Sequence, residues 1–268
     1  MAAADSSGPT PRRLLFGSVA EDYERYRLGY PEELADLIWA YAGRPVRTAL
    51  EVGAGTGKAT RLVAGRGAAV TALEPDPDMF AVLTRTTAEL PVTAVCTGFE
   101  HFEEFDTDER FDLLFAAAAW HWTDPDTRYR RAARLLAPGG VFACFGRPAD
   151  LADPDLAARV DELERRFGPD APASTWTDHP VGEMSWPGRE MLDVEILHDV
   201  EEHDLPGDCT VAADEYVGRL ATVSAYLMLS ESARSEALAE IRAVLPDRVR
   251  LDTSVRVHLA RVGAPDIP

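Results

Sequence analysis

The sequence predicts an α/β fold in which helices cover both faces of a doubly wound, mostly parallel sheet. Short apolar runs alternate with helix-type segments from about residue 31 to residue 145, the pattern of parallel strands joined by crossover helices. A glycine-rich turn follows the first apolar run, and Gly or Pro ends several helical segments. The chain has 268 residues, of which 46% are hydrophobic, enough for one large domain.

The elements of this half of the chain can be placed in order. Pro31–Ala42 is predicted as a helix, because Pro stands in its first turn, one face is apolar and Gly43 follows it. Thr48–Val52 is predicted as a buried strand that ends at the glycine loop, and Lys58–Ala64 as the next helix. The following predictions are strand Val70–Leu73, a helix capped by Asp76, strand Val92–Cys96, strand Phe111–Ala116, a helix behind Asp124 and strand Val141–Phe145.

The pattern changes after Arg147. Residues 148–189 hold many prolines and one helix-type segment, Leu156–Phe167. Beyond them we predict strands at Val194–Val200 and Val255–Ala260, with helices between them. We therefore expect a single domain over residues 14–268, with an N-terminal lid at 14–43 and cap elements at 148–190 and 212–230. Residues 1–13 are expected to be a disordered leader.

Composition narrows the class of partner and the compartment. The net charge of −19 and the pI near 4.7 disfavour nucleic acid and anionic membranes and favour a small-molecule substrate. Neither an apolar stretch of membrane-spanning length nor a secretory signal is visible, so a cytoplasmic protein is expected. The three cysteines are scattered, which predicts no disulfide framework and no metal site. Oligomeric state is left open.

The segment Glu51-Val52-Gly53-Ala54-Gly55-Thr56-Gly57 is the main functional signal. Glycines between a strand and a helix let backbone N–H groups approach a ligand closely. A phosphate-binding P-loop is excluded by the glycine spacing and by Ala59 after Lys58. A dinucleotide fingerprint needs its third glycine where Lys58 stands, which disfavours a nicotinamide dehydrogenase. A cofactor without a bound phosphate is left as the best candidate.

Glu74 supports an adenosine-containing cofactor. It ends the second predicted strand, about the distance after the glycine loop at which a carboxylate reaches the hydroxyl pair of a ribose. A solvated residue at the end of a strand is the alternative interpretation of Glu74.

Four segments of the chain carry a family resemblance. They are Phe16-Gly17 through Tyr30-Pro31, Leu50 through Gly57, Ala72 through Asp76, and Phe111 through Trp120-His121-Trp122 to Gly140. In order and spacing the chain resembles the class I S-adenosylmethionine-dependent methyltransferases, in particular the small-molecule group of trans-aconitate methyltransferase-like proteins. The resemblance covers residues 16–146 well and the C-terminal third loosely. It implies a Rossmann-like sheet of seven strands in the order 3-2-1-4-5-7-6, with strand 7 antiparallel.

The resemblance also implies which residues bind S-adenosylmethionine. Tyr23 and Arg27 match a lid motif in which an aromatic side chain covers the cofactor and an arginine meets its carboxylate. Glu51 would orient the loop or meet the cofactor's amino group, and Glu74 would take the ribose hydroxyls. The other implied cofactor-binding residues are Gly53, Ala54, Gly55, Gly57, Pro75, Met79, Gly98, Phe99, Glu100 and Ala117.

One position departs from the family pattern. Members often carry an acidic residue after the third strand that accepts a hydrogen bond from the adenine amino group, and here Gly98 stands in its place. The backbone N–H or the ring of Phe99 is a substitute contact for the adenine.

The acceptor site is expected beside the segment Trp120-His121-Trp122, which follows the fourth predicted strand. His121 is a candidate general base, with a structural role between two tryptophans as the alternative. Trp120 and Trp122 would form a wall of the acceptor pocket or pack in the core. Trp176, Arg219 and Tyr226 are further candidate substrate contacts.

The function that these patterns favour is methyl transfer to O, N or C of a metabolite, for example in secondary metabolism. Two alternatives are open. One is an enzyme of the same fold, such as a cyclase or decarboxylase, that binds S-adenosylmethionine without transferring its methyl group. The other is a regulatory protein with a vestigial cofactor site, which the intact acidic and glycine residues of the loop disfavour.

Overall fold

A computed structural model describes residues 15–102, 110–147, 149–167 and 184–263, so the predicted leader lies outside the described residues. The strands are β1 (Thr48–Val52), β2 (Ala69–Leu73), β3 (Val92–Val95), β4 (Phe111–Ala117), β5 (Leu136–Gly146), β6 (Asp150–Leu151), β7 (Leu197–Leu205), β8 (Asp208–Ala212), β9 (Arg248–Asp252) and β10 (Val255–Val262). The α-helices are α1 (Ala20–Tyr26), α2 (Glu32–Ala42), α3 (Lys58–Gly65), α4 (Pro77–Thr86), α5 (Arg128–Leu135), α6 (Pro154–Phe167), α7 (Gly188–Leu192), α8 (Ala213–Leu220), α9 (Ser224–Leu227) and α10 (Glu231–Val244).

The main sheet has seven strands in the order β3-β2-β1-β4-β5-β10-β7. Strand β10 runs antiparallel to both of its neighbours, whereas β1 to β5 are parallel. The predicted fold class and strand order are therefore confirmed, with β7 and β10 as the sixth and seventh strands. The order reverses between β1 and β4, and in such sheets ligands bind outside the carboxyl ends of the strands at that point.

Local sequence explains the elements that lead to this point. Strand β1 is apolar and buried along most of its length, as a central parallel strand requires. The side chain of Asp76 accepts hydrogen bonds from the N–H groups of Asp78 and Met79, at 3.0 and 3.1 Å, and so caps α4 behind β2. Helix α2 ends at Gly43, whose φ of 63° few other residues adopt readily.

The core has a layer on each face of the main sheet. Successive residues of β4 point to opposite faces, so Phe115 packs with Ile38 of α2 and Val63 of α3, while Leu114 packs with Phe142 and with Leu135 of α5. This alternation fixes the register of β4 relative to its neighbouring strands. It therefore also fixes how far the carboxyl end of β4 extends beside the glycine loop.

A second sheet of three antiparallel strands, β6-β9-β8, was not predicted. It shares a separate hydrophobic cluster with α6, α8 and α10, in which Leu156, Tyr216, Ile241 and Leu251 are buried. In β9 only alternate residues are apolar and buried, and its charged residues face solvent, so the strand has no continuous apolar run to predict it. The expected division into lid, domain and cap stays a prediction.

Two further elements differ from expectation. The strand predicted at Val194–Val200 lies at Leu197–Leu205, and α7 precedes it. Strand β7 is at the edge of the sheet and carries several acidic residues, which is typical of edge strands and lowers their apolar signal. Within the described ranges, no helix combines the length and the apolar character needed to cross a membrane.

Candidate functional site

The glycine loop joins β1 to α3 at the point where the strand order reverses. Gly53, Gly55 and Gly57 have φ angles of 68°, 58° and 88°, which side chains with a Cβ rarely adopt. A Cβ on Gly53 would lie 2.6 Å from the Cβ of Ala119, so the loop also packs closely against the chain that follows β4. Glycine is therefore required at position 53 by conformation and by space.

A cleft with two lobes surrounds this loop. Both lobes are lined by Tyr23, Gly53, Gly55, Ala117 and Ala118. The lobe on the side of β2, here called the β2 lobe, is also lined by Phe16, Glu74, Pro75, Met79, Gly98, Phe99, Glu100 and Trp122. The lobe on the side of β5, here called the β5 lobe, is also lined by Arg27, Tyr30, Glu51, Ala54, Lys58, Arg147 and Arg219.

Glu74 links β2 to the glycine loop. Its Oε2 accepts a hydrogen bond from the Gly55 N–H at 2.7 Å, and its Oε1 accepts one from the Asp76 N–H at 2.9 Å. Burial raises the pKa of this carboxyl to about 7, against the two backbone hydrogen bonds that lower it. The carboxylate is thus held at the rim of the β2 lobe, and the predicted position beside the loop is the one observed.

Glu51 places a second carboxylate behind the loop, at the β5 lobe. Its Oε2 accepts a hydrogen bond from the Thr60 hydroxyl at 2.5 Å. Its Oε1 is buried and has no hydrogen-bond partner among the described residues. Burial raises the pKa of Glu51 to about 8. Since a buried polar atom without a partner costs free energy, this oxygen is suited to a hydrogen-bond donor on a ligand.

Glu100 and Gly98 both line the β2 lobe, and Gly98 stands at the position where the family often has an acidic residue. A Cβ on Gly98 would lie 3.5 Å from the Oε2 of Glu100, so the Glu100 carboxylate reaches the space beside the glycine. The Oε1 of Glu100 accepts a hydrogen bond from the Asp124 N–H at 2.9 Å, which fixes the side chain. A carboxylate is therefore present beside position 98, supplied by the residue two positions later.

Helix α1 covers the loop from the N-terminal side. Tyr23 lines both lobes, and its ring meets that of Phe16 edge-on at 6.1 Å. Glu24 accepts a hydrogen bond from Arg61 of α3 at 2.9 Å, and Lys58 donates to the Glu24 carbonyl oxygen at 2.7 Å. The helix is thereby tied to the start of α3, directly behind the glycine loop.

Arg27 follows α1 and connects it to the turn after α8. Its Nε and Nη2 donate to the hydroxyl and carbonyl oxygens of Thr222 at 2.8 and 3.1 Å. Its guanidinium carbon lies 5.2 Å from the centre of the Tyr23 ring. Burial lowers the pKa of Arg27. The predicted lid residues Tyr23 and Arg27 thus both reach the cleft, with Arg27 in the β5 lobe.

The segment after β4 divides between the core, the cleft and the surface. Trp120 is fully buried, with its ring 4.7 Å from that of Phe142 and 5.7 Å from that of Phe99, so it packs in the core and lines neither lobe. Trp122 lines the β2 lobe. His121 is exposed, its ring lies 4.4 Å from that of Trp122 in a tilted arrangement, and it is not a lining residue. The role of His121 as a base stays a prediction that this placement does not favour.

The remaining predicted residues divide between the cleft and other places. Arg219 lines the β5 lobe, whereas Tyr226 lies in the second core and donates its hydroxyl hydrogen to Glu164 at 2.6 Å. Gly57 is the N-cap residue of α3 and lines neither lobe. A Cβ on Gly57 would lie 2.9 Å from the side chain of Leu83. Trp176 lies outside the described residues.

Two residues of the β5 lobe were missed by sequence reasoning. Tyr30 stacks edge-on against Phe145 at 5.0 Å, and the guanidinium carbon of Arg147 lies 5.8 Å from the Tyr30 ring centre. Arg147 directly follows β5, and the carboxyl ends of parallel strands share one edge of a sheet. Its position after a predicted strand is the signal that could have identified it.

Comparison with known proteins supports a methyltransferase. Residues 50–144 match the methyltransferase domain family. An uncharacterized methyltransferase of Mycobacterium tuberculosis is 42% identical over 127 residues, covering 47% of this chain and 49% of the relative. A trans-aconitate 2-methyltransferase of Methylobacterium radiotolerans is 32% identical over 135 residues, covering 49% of this chain and 50% of the relative. The chain thus spans about half the length of these curated relatives.

A solved structure matches over a longer range. It is a protein of Anaeromyxobacter dehalogenans described as a candidate type II methyltransferase, 25% identical, with a TM-score of 0.60 over 89% of this chain and 97% of that chain. The predicted resemblance to methyltransferases is confirmed: residues 50–144 match a methyltransferase domain family, and the seven-stranded sheet has the predicted strand order.

Proposed function

We propose that the protein is an S-adenosylmethionine-dependent methyltransferase that methylates O, N or C of a small-molecule metabolite, for example a secondary metabolite. The observation that carries the proposal is the cleft that runs past both sides of the glycine loop, with Glu74 on one side and Glu51 on the other. A cofactor that passes across the loop would meet one carboxylate with its ribose and the other with its amino end.

The residues of the cleft fit S-adenosylmethionine. Glu74 would accept hydrogen bonds from the ribose hydroxyls, and the unpartnered Oε1 of Glu51 would accept from the amino group. Arg27 would pair with the carboxylate of the cofactor, since a guanidinium matches a carboxylate with two hydrogen bonds. The adenine would lie in the β2 lobe, whose lining includes Pro75, Met79, Gly98, Phe99 and Glu100.

The bound cofactor would supply a methyl group on a positively charged sulfur, which is already activated for displacement. What the protein adds is position and exclusion of water. Tyr23 covers the loop where the two lobes meet, beside Ala117 and Ala118 at the end of β4. The acceptor would therefore approach from the β5 lobe, between the end of the sheet and the turn after α8.

Titration calorimetry with S-adenosylhomocysteine tests cofactor binding. We expect the wild type to bind and Gly53→Ala to bind at least about tenfold more weakly, because alanine is strained at positive φ and would clash with Ala119. Gly65→Ala is the matched control, since a Cβ there meets nothing within 4 Å. Wild-type protein that shows no binding would overturn the proposal.

Turnover separates methyl transfer from the other reactions of the fold. Incubation with S-adenosylmethionine and pooled small metabolites should release S-adenosylhomocysteine together with a product that is heavier by one methyl group. Consumption of the cofactor without this product would instead favour the non-methylating alternative.

A further inference from the structure

The β5 lobe has a strong local charge that opposes the charge of the whole molecule. Four of its described lining residues are basic: Arg27, Lys58, Arg147 and Arg219. Glu51 is the acidic residue of the described lining, and its pKa is raised to about 8, so that it is largely protonated near pH 7. In a chain with a net charge of −19, this pocket is nevertheless basic.

Three of the four basic side chains have partners within the protein. Lys58 and Arg27 donate hydrogen bonds to Glu24 and Thr222. Arg219 lies over the ring of Tyr216 and close enough to Asp150 and Glu164 to affect the pKa of both carboxyls. Carboxylates therefore lie near Lys58 and Arg219, whereas Arg27 meets the neutral oxygens of Thr222 and is assigned to the cofactor's carboxylate.

Arg147 differs from Lys58 and Arg219 in that its ionisable neighbours include no carboxylate. Its Nε is buried without a hydrogen-bond partner, and no ion pair among the described residues includes it. The ionisable side chains beside it are the phenol of Tyr30 and the thiol of Cys209, groups that are ordinarily neutral at pH 7. Burial lowers the pKa of Arg147, which shows the cost of holding this cation away from water. A half-buried guanidinium without an anion is a preformed site for one.

The position of Arg147 points to the acceptor, not to the cofactor. Glu74 fixes the ribose end on the side of β2, and the cofactor would extend over β1 from there. Arg147 follows β5, two strands further along the same edge, beyond β4. Arg27, on the lid, is available for the cofactor's own carboxylate.

We propose that Arg147, supported by Tyr30, binds an anionic oxygen group of the acceptor, so that the substrate is a small molecule bearing a carboxylate or a phosphate. The hydroxyl of Tyr30 makes no hydrogen bond to any described residue. The Arg147 guanidinium lies over the Tyr30 ring, and the Tyr30 hydroxyl could donate a hydrogen bond to the same anion. The inference rests on the proposed function, since it assigns the substrate class of that site.

The test measures ligand binding to the protein saturated with S-adenosylhomocysteine. The probes are small monocarboxylates, dicarboxylates and phosphate monoesters, each paired with its neutral amide or its dephosphorylated form. We expect binding from the anionic members and a loss of at least about tenfold in Arg147→Met, the size expected for one lost charge-assisted contact. Arg147→Lys should recover part of the loss. The matched control is Arg234→Met, on α10 outside both lobes.

Each outcome decides between assignments. Unchanged affinity for S-adenosylhomocysteine in Arg147→Met, together with lost affinity for the anionic probe, supports the inference and shows that the variant folds. A fall in affinity for S-adenosylhomocysteine would assign Arg147 to the cofactor and overturn the inference while leaving the proposed function intact. Binding of neutral probes in preference to their acids would overturn it as well. Failure of the wild type to bind S-adenosylhomocysteine would overturn the proposed function instead.

Discussion

Glu51 is held in the folded protein at a cost that a ligand would remove. The side chain is fully buried, one oxygen accepts from Thr60 and the other has no partner among the described residues. Nothing in the packing around β1 requires a carboxylate there, because the strand is otherwise apolar. A destabilising group kept at a cleft is typical of binding sites, where stability is lost in favour of function.

This predicts the effect of Glu51→Gln on stability. Burial raises the folded-state pKa of Glu51 to about 8 from its ordinary value of 4.5, so folding binds a proton in this range and stability falls as the pH rises through it. The loss is at most about 1.4 kcal/mol per pH unit between those two values. The glutamine variant lacks this slope. We therefore expect its melting temperature, measured without ligand, to exceed that of the wild type increasingly from pH 5 to pH 8.

The same variant should bind S-adenosylhomocysteine more weakly, because an amide cannot ionise when it meets the positively charged amino group, as the Glu51 carboxyl can. Thr60→Val serves as the control, since it removes the hydroxyl that donates to Glu51 without changing the carboxylate. A melting temperature that responds to pH alike in wild type and Glu51→Gln would show that this carboxyl is not the group that titrates.

Single residues were predicted best where the local sequence determines the position. Glu74, Gly53 and Gly55 are placed by the strand and turn that contain them, and they lie at the cleft. Trp120 was different, since tryptophan suits a pocket wall and a core equally, and the side chain points into the layer of Phe142. Arg147 and Tyr30 come together only through the order of the strands, which local sequence does not specify.

Among the elements, α1 depends most on polar contacts. It is a helix of 7 residues, too short to be stable by itself, and it is held by ion pairs on one side and by the contact of Arg27 with Thr222 on the other. Since its Tyr23 lines both lobes, we expect the position of this helix to affect the entry and release of a cofactor.

We therefore expect the ion pairs that Glu24 forms with α3 to control the residence time of a bound cofactor. Glu24 pairs with Lys58 and Arg61, whose side chains are only 12% and 31% exposed. In Glu24→Gln we expect the dissociation rate of S-adenosylhomocysteine to rise by about threefold to tenfold, measured by stopped-flow displacement. Glu21→Gln is the control on the same helix, because its pair with Arg85 is well exposed and such pairs contribute little. Equal effects of both variants on the dissociation rate would contradict the assignment of this role to the ion pairs of Glu24.

Strands and helices of the main sheet were more predictable than those of the second sheet. Strands β1, β4 and the second half of β5 are buried runs between clear turn residues, which gives a strong signal. Strands β8 and β9 bury only one face, and the exposed Asp208 and Arg250 pair across them, so polar residues interrupt the pattern. Pairing that joins residues about forty positions apart is decided by the tertiary structure.

At the scale of the whole molecule, the cleft lies between two hydrophobic cores. The main sheet supplies the glycine loop and the ends of β2, β4 and β5, while the second core supports α8, which carries Arg219 to the β5 lobe. Helix α1 packs against α8 and so contacts both parts. At the centre of that contact, a Cβ on Gly218 would lie 2.8 Å from two atoms of the Tyr26 ring. The pair α1–α8 is therefore a closely packed contact between the helix over the cleft and the second core.

This contact gives a test of whether the second core positions the lid. Gly218→Ala should displace α1 from α8, with a cost of about 1–3 kcal/mol in the free energy of unfolding, as for other overpacked contacts. Because the same movement would separate Arg27 from Thr222, we expect faster hydrogen exchange in α1 and weaker binding of S-adenosylhomocysteine, with little change in exchange along β1 and β4. Gly29→Ala, where a Cβ meets nothing within 4 Å, is the control near the same helix. Exchange that rises in α8 but not in α1 would show that the lid is held by its bonds to α3 alone.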